Sequence, residues 1–270
     1  MCIRDSSPIA PLANWGLKQK PIRFAVEKII KVHREAPMPE AHTETLSKWI
    51  RKHKPATKPT KGPVIFFQGC AGGYFETETS VKSIEVLEHL GYEVLVPKQG
   101  CCGLAQQSNG LFKQSTKTLL DICDKIIARG KNIPVVSSSG SCIGMIKHEA
   151  HEIMGVDDPR LHDVSVRSFD FCEFLMEEYR NGEIDLSDLK PLDLTVPYHQ
   201  PCQVKSQGMG FPAVQLMELI PGVKVLESNE PCCGIAGTYG LKAERYDVSQ
   251  KIGAKVFEHM REYNEGVGVC

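Results

Sequence analysis

The chain repeats itself. GYEVLVPKQGCCG, from Gly91 to Gly103, and GVKVLESNEPCCG, from Gly222 to Gly234, lie 131 residues apart and end on the same triplet. Upstream, VIFFQGC ends at Cys70 and VPYHQPC ends at Cys202, an offset of 132. A looser third match joins SSSGSC, ending at Cys142, to EGVGVC, ending at Cys270, at an offset of 128. A unit of about 130 residues used twice must fold twice into the same supersecondary arrangement, so the duplication limits the architecture before any residue-level reading begins.

The periodicity inside each copy selects that arrangement. Val64 to Gln68 reads as a buried strand, and Thr79 to Leu90 carries Val81, Ile84, Leu87 and Leu90 at helical spacing. Glu93 to Val96 reads as a strand, Gln107 to Arg129 as a long helix closed by Gly130, Ile133 to Val136 as a strand and Cys142 to Met154 as a helix. The second copy gives strand Leu194 to Tyr198, helix Phe211 to Ile220, strand Val223 to Glu227 and helix Leu241 to Arg261. Alternating strands and helices imply parallel sheets. The predicted fold is α/β: two pseudo-repeated parallel-sheet units behind a helical N-terminal segment. The expected division is residues 1–62, 63–190 and 191–270, with the Pro/Lys-rich stretch Lys52 to Pro63 as the linker.

In parallel sheets the loops beyond the carboxyl ends of the strands converge on the ligand. Cys70, Cys101, Cys102 and Cys142 fall on such loops in the first copy, and Cys202, Cys232, Cys233 and Cys270 in the second. The chain has eleven cysteines, an odd count, with two adjacent pairs that could bridge only under strain, and its opening residues lack the apolar region of an export signal. These facts point to thiolates that bind metal rather than to a disulfide framework. Four thiolates suit zinc or an iron–sulfur cluster. Structural zinc sites favour short Cys-x-x-Cys knuckles, whereas an adjacent pair reaches two irons of one cluster more easily than one small ion. Both metals remain open at this point. Gly103 and Gly234 are expected to let the backbone approach a bulky cluster. Lys and Arg total 32 against 33 Asp and Glu, which argues against a nucleic-acid partner. No apolar run approaches the roughly 20 residues of a membrane span.

A strand-end Cys, then Cys-Cys-Gly, then the position of a Cys-x-x-Cys, all duplicated, resembles the cysteine-rich CCG domain pair found in heterodisulfide reductases and in respiratory iron–sulfur subunits. CCGIAGTYGLKAERYDVSQKIGA (Cys232 to Ala254), with YHQPC, PAVQLMELIPG and QGCCGLAQQSNG, resembles more narrowly the C subunits of anaerobic sn-glycerol-3-phosphate dehydrogenases, over about Pro11 to Cys270. The resemblance implies a cytoplasmic, peripheral inner-membrane subunit whose clusters, of the 4Fe-4S type, carry electrons from a flavin-containing dehydrogenase subunit toward membrane quinone. The eight cysteines above would be the ligands, and no independent substrate chemistry is expected. Related complexes that oxidise lactate or glycolate, or reduce heterodisulfides, share the domain pair. A zinc-stabilised assembly subunit and a thiol–disulfide exchanger using the adjacent pairs are readings of a different class. Three departures stand out: only Cys2 precedes Cys70, so the family's N-terminal ferredoxin-like motifs are missing; Ser139 occupies the earlier Cys position of the first Cys-x-x-Cys; and Cys270 is the last residue. Zinc therefore stays open for the first repeat, and the chain reads as an internal piece of a longer protein.

The remaining candidates have plainer readings. Cys123 and Cys172 are expected to pack as small apolar residues. His148 and His151, set among Lys147, Glu149 and Glu152, read as a solvated helix face. His199, three residues before Cys202, is a candidate hydrogen-bond partner of the site, and Tyr239 and Lys242 are candidates to line it or to meet a partner. Pro21 to Arg34 is a basic amphipathic segment that suits a membrane surface or the protein's own core.

Overall fold

The computed structural model describes residues 10–263 and 268–269. Three helices come first: α1 (Ala10–Leu17), α2 (Lys20–Ile30) and α3 (Leu46–Lys52). The first unit then runs β1 (Pro63–Phe66), α4 (Gly69–Tyr74), α5 (Thr77–His89), β2 (Glu93–Leu95), α6 (Leu104–Gln107), α7 (Phe112–Ile127), β3 (Val135–Ser137) and α8 (Gly140–Gly144). A π-helical turn over Met145–Glu149 continues α8 into α9 (Ala150–Glu152), and α10 (Pro159–Ser165), β4 (Ser168–Asp170) and α11 (Phe171–Arg180) follow. The second unit contains β5 (Leu194–Tyr198), α12 (Cys202–Lys205), α13 (Pro212–Glu218), β6 (Val223–Glu227), a 3₁₀ turn at Tyr239–Leu241 and α14 (Tyr246–Glu262).

Among the described residues the strands form two parallel sheets, one in the order β2-β1-β3-β4 and one pairing β5 with β6. The first sheet shows why VIFF is apolar without a break. Ile65 and Phe67 pack on one face with Leu119, Ile122, Ile126 and Met145, while Val64 and Phe66 pack on the other with Ile84, Leu87, Phe174 and Leu175. Successive strand residues point to opposite faces, and helices cover both, so neither face can be polar.

Where elements depart from the expected limits, a tertiary contact or a turn residue is the cause. The helix expected over Gln107 to Arg129 breaks at Gly110, whose φ of +75° ends α6 and lets α7 start afresh. Helix α14 starts at Tyr246 rather than Leu241 because the preceding backbone is used elsewhere: His33 N–H donates to Leu241 C=O at 2.8 Å and Ala243 N–H to Lys31 C=O at 2.8 Å. That same pairing ends α2 at Ile30, with Lys31 left-handed at φ +61°. The latch is completed by His33 stacked on Tyr246, ring centroids 4.1 Å apart, and by the Tyr246 hydroxyl on Glu35 C=O. Strand β4 and helices α10 and α11 lie outside the elements read from sequence. The capping box at Asp170 and Glu173 is the signal that marks α11.

Candidate metal centres

Because β2, β1 and β3 are neighbours and parallel, the loops at their carboxyl ends lie side by side, about 5 Å apart per strand. Cys70 sits in the first turn of α4 after β1, Cys101 and Cys102 in the loop after β2, and Cys142 within α8 after β3. The four thiols are neighbours in series, Cys70 beside Cys101, Cys101 beside Cys102, and Cys102 beside Cys142, each pair close enough to shift the other's proton affinity. Cys102 and Cys142 are buried, and Cys70 reaches the surface. The series alternates in proton affinity. Cys101 and Cys142 are held below the usual thiol range, each chiefly by its neighbour Cys102. Cys70 and Cys102 are pushed above it, chiefly as partners of Cys101 and then by burial. Ser139, at the N-cap of α8, leaves the helix end uncapped and hydrogen-bonds Cys142 instead.

The loops are held in place by polar contacts. Gln99 donates from Nε2 to Phe66 C=O at 2.8 Å and accepts Gln68 N–H at Oε1 at 2.9 Å, tying the Cys101 loop to the end of β1. Gly69 adopts φ +60°, and a side-chain carbon there would stand 3.0 Å from Cys142 Sγ. Gly103 N–H donates to Cys101 Sγ at 3.4 Å, a backbone donor that favours the thiolate.

The second unit repeats much of this. Gly234 N–H donates to Cys232 Sγ at 3.2 Å, and Cys202, on the first residue of α12, hydrogen-bonds Cys232. Burial and the neighbouring Cys232 and Cys233 push the Cys202 thiol up. His199 is buried; its Nδ1 lies 2.9 Å from Ser228 Oγ, and Lys205 Nζ donates to Glu230 C=O at 2.9 Å. Both contacts brace the loop that carries Cys232 and Cys233. His199 therefore supports the site through Ser228, and its imidazole is held toward the neutral form by burial and then by Lys205.

One expectation needs correction, and the glycines after each pair have a packing role besides the expected one. A side-chain carbon on Gly103, at φ +92°, would lie 2.7 Å from Ser115 Oγ and 3.0 Å from its C=O, and one on Gly234, at φ +85°, would lie 2.2 Å from Ser249 C=O. Each glycine lets its loop pack against the backbone of the following long helix. The third repeat match shifts. In the first unit Phe66 pairs with Val136, and Phe67 N–H donates to Val136 C=O. In the second Tyr198 pairs in parallel with Val269, and His199 N–H donates to Val269 C=O. Register therefore makes Val269 the counterpart of Val136, at an offset of 133 rather than the 128 of the sequence match. Cys270 and Cys2 themselves lie outside the described residues.

Cys123 is wholly buried in the apolar core, and Cys172 is half-buried at the start of α11 with its thiol pushed up to about 12 by burial. His148 faces Glu152, and His151 faces Val156 C=O. Lys242 donates to Asn109 of the first unit, and Tyr239 lies under Arg245. Sequence reasoning missed Gln99, Lys205 and Ser228; the doubled Gln-Gly-Cys at Gln68 and Gln99 was the available signal for the first.

The cysteine-rich domain of the CCG type matches residues 64–147 and 196–269. The chain belongs to the CCG cysteine-rich domain family. It is 32% identical over 260 residues to the C subunit of anaerobic glycerol-3-phosphate dehydrogenase from Escherichia coli K12, covering 95% of this chain and 64% of the relative, so it spans just under two thirds of that protein. It is 27% identical over 208 residues to the B subunit of fumarate reductase (CoM/CoB) from Methanothermobacter marburgensis, covering 74% of this chain and 38% of the relative. Lactate utilization protein A of Oceanobacillus iheyensis is 28% identical over 207 residues, with 74% of this chain and 80% of the relative covered. The two matched CCG segments contain seven of the eight predicted ligands, all but Cys270.

The donor set can be tested against the cofactor that such a site suggests. Four sulfurs from three loops, strung along a sheet edge, suit a body that several of them touch at different points. Among the described residues no three His, Cys, Asp or Glu side chains are grouped to hold a single metal ion. The donor set is all sulfur, as thiolate-bound metal centres require.

Proposed function

We propose that the chain is an iron–sulfur electron-transfer subunit, with one centre on Cys70, Cys101, Cys102 and Cys142 and a second on Cys202, Cys232 and Cys233. Cys270 is the further thiol proposed for the second. The observation that carries this reading is the unbroken series of four neighbouring thiols, joined by three contacts, at the carboxyl edge of β2-β1-β3. Once bound, an iron–sulfur cluster supplies a one-electron store. The protein supplies the rest. Gly103 and Gly234 N–H groups and the Ser139 hydroxyl donate toward sulfur and favour the more negative state. Burial of Cys102 and Cys142 keeps water from one side.

The complex proposed is a respiratory anaerobic sn-glycerol-3-phosphate dehydrogenase, with a flavin-containing subunit as donor and membrane quinone as acceptor. The 32% identity along 95% of the chain supports this assignment over a lactate-oxidising complex. Residues 1–62, 63–190 and 191–270 are proposed as the working units. Peripheral attachment at the cytoplasmic face of the membrane is assigned to α1 and α2. There Leu12, Trp15, Phe24, Ile29 and Ile30 are exposed, Ile29 by 77%, beside Lys18, Lys20 and Lys28. Among the described residues no helix is long and apolar enough to cross a membrane.

The test is oxygen-free purification with visible and EPR spectra and counts of iron, zinc and acid-labile sulfide. Brown protein with several irons and matching sulfide is expected. Colourless protein with stoichiometric zinc would replace the relay with a scaffold, and metal-free protein with titratable thiol pairs would replace it with an exchanger.

A further inference from the structure

The two centres are built on elements that touch. Cys142 lies midway along α8, in the sequence Gly140-Ser141-Cys142-Ile143-Gly144, and α12 begins with Cys202. These two short helices pack on each other through the glycines. A side-chain carbon on Gly140 would lie 2.4 Å from Val204 Cγ2. One on Gly144 would lie 3.1 Å from Gln207 Nε2 and 3.2 Å from Gln203 Oε1. Gln207 Nε2 also donates to Gly140 C=O at 2.9 Å, so α12 is hydrogen-bonded to the α8 backbone at the point of closest approach. Helices in contact through larger side chains hold their axes about 8–10 Å apart, and glycines at the contact allow the lower end of that range.

A second clasp joins the loops that follow each Cys-Cys-Gly. Asn109 Nδ2 donates to Thr238 Oγ1 at 3.2 Å, and Lys242 Nζ donates to Asn109 Oδ1 at 3.2 Å. A side-chain carbon on Gly237 would sit 3.4 Å from Ser108 Oγ. The sites are therefore pinned to each other at two points, one beside Cys142 and Cys202 and one beyond the adjacent cysteine pairs.

We infer that the Gly140–Gly144 face of α8, seated on Val204, Gln203 and Gln207 of α12, is the spacer that fixes the separation of the two thiolate centres and so sets how fast an electron passes between them. Gly140, Gly144 and Val204 are positioning residues and touch no cofactor. The inference rests on the proposed iron–sulfur reading. It adds that the two centres work as one coupled pair rather than as independent stores. Tunnelling falls steeply with distance, so a methyl wedged into this seam reaches the electron path without removing a ligand.

The experiment compares the full chain, purified without oxygen and partly reduced, as wild type, Gly140→Ala, Gly140→Ala with Val204→Ala, and Val204→Phe. The readouts are iron and sulfide content, EPR signatures of magnetic interaction between the centres (splitting and faster spin relaxation), and thermal unfolding of the metal-free chain. The wild type is expected to show the interaction. Gly140→Ala should keep its iron but measurably weaken the interaction, because the new methyl must push α12 away. Trimming Val204 to Ala in the same chain should restore it. Val204→Phe drives a wedge into the seam from half-exposed α12 and leaves α8 intact, so it should also weaken the interaction even where Gly140→Ala fails to fold. Two iron-loaded centres with no interaction in the wild type, or an unchanged spectrum in Val204→Phe, would overturn the spacer. A chain that binds no iron overturns the functional reading itself, and the spacer with it.

Discussion

Replacing Gly234 by Ala perturbs the tightest backbone contact at either centre. The added carbon would lie 2.2 Å from Ser249 C=O, 3.0 Å from its carbonyl carbon and 3.2 Å from its Cα, all backbone atoms of α14. None of these can rotate away, so the loop or the helix must move. Overpacking of this kind costs about 1–3 kcal/mol. The φ of +85° adds about 1–2 kcal/mol for a residue with a Cβ. The sum, roughly 2–5 kcal/mol, corresponds to a fall in Tm on the order of 5–15 °C for a chain of this size. Gly103→Ala should cost less, because its nearest neighbour at 2.7 Å is the rotatable Ser115 hydroxyl and the backbone oxygen stands at 3.0 Å. Gly100→Ala is the control: no heavy atom lies within 4 Å of the added carbon and φ is not positive, so the change should stay within about 0.5 kcal/mol. Denaturant titration and thermal unfolding of the metal-free variants measure the order Gly234 above Gly103 above Gly100. Equal stability of all three, or a reversal of the first two, would refute the view that these glycines serve helix packing.

Cys101→Ala should abolish iron at the first centre, whereas Cys123→Ala, in the apolar core, should leave the iron count unchanged; metal analysis separates them. Asp170 titrates near 6 because burial outweighs the stabilising N–H donors of Cys172 and Glu173. Its folded value lies above the unfolded value of about 3.9, so the folded state binds the extra proton and stability falls as pH rises from about 4 to 6. Asp170→Asn keeps a capping oxygen and should flatten that slope, raising stability at pH 7 by roughly 2–3 kcal/mol at most in denaturant titrations. Ile29→Asp with Ile30→Asp, both on exposed positions, should leave folding unchanged and reduce sedimentation with anionic vesicles severalfold; equal sedimentation would remove α2 from the membrane face.

The strands and the first thiol cluster were legible because the signals are local. Val64 to Phe67 is apolar on both faces, each strand runs into a cysteine loop, and parallel neighbours align those loops. What the sequence concealed depends on distant partners. Leu241 to Arg245 carries a helical pattern, yet Lys31 and His33 capture its backbone. Gly103 and Gly234 stand beside cysteines, so their role is easily read as chemistry, while the atoms that require a glycine belong to Ser115 and Ser249 further along the chain. Cys270 matched Cys142 by counting from Cys-Gly patterns, and only strand register shows that Val269 stands where Val136 does. Gln99 is one glutamine among many until its amide is seen bridging two loops.

The latch between residues 31–35 and 241–246 bears on how the polypeptide comes apart. The exposed Pro/Lys stretch between α3 and β1 invites a protease, and a single nick there would ordinarily free everything ahead of it. Here the severed piece would stay fastened to the far end of the chain by main-chain pairing and by the His33–Tyr246 stack. A nicked molecule should migrate whole under native conditions and split only in detergent. Two separately expressed pieces cut at that stretch should find each other in solution.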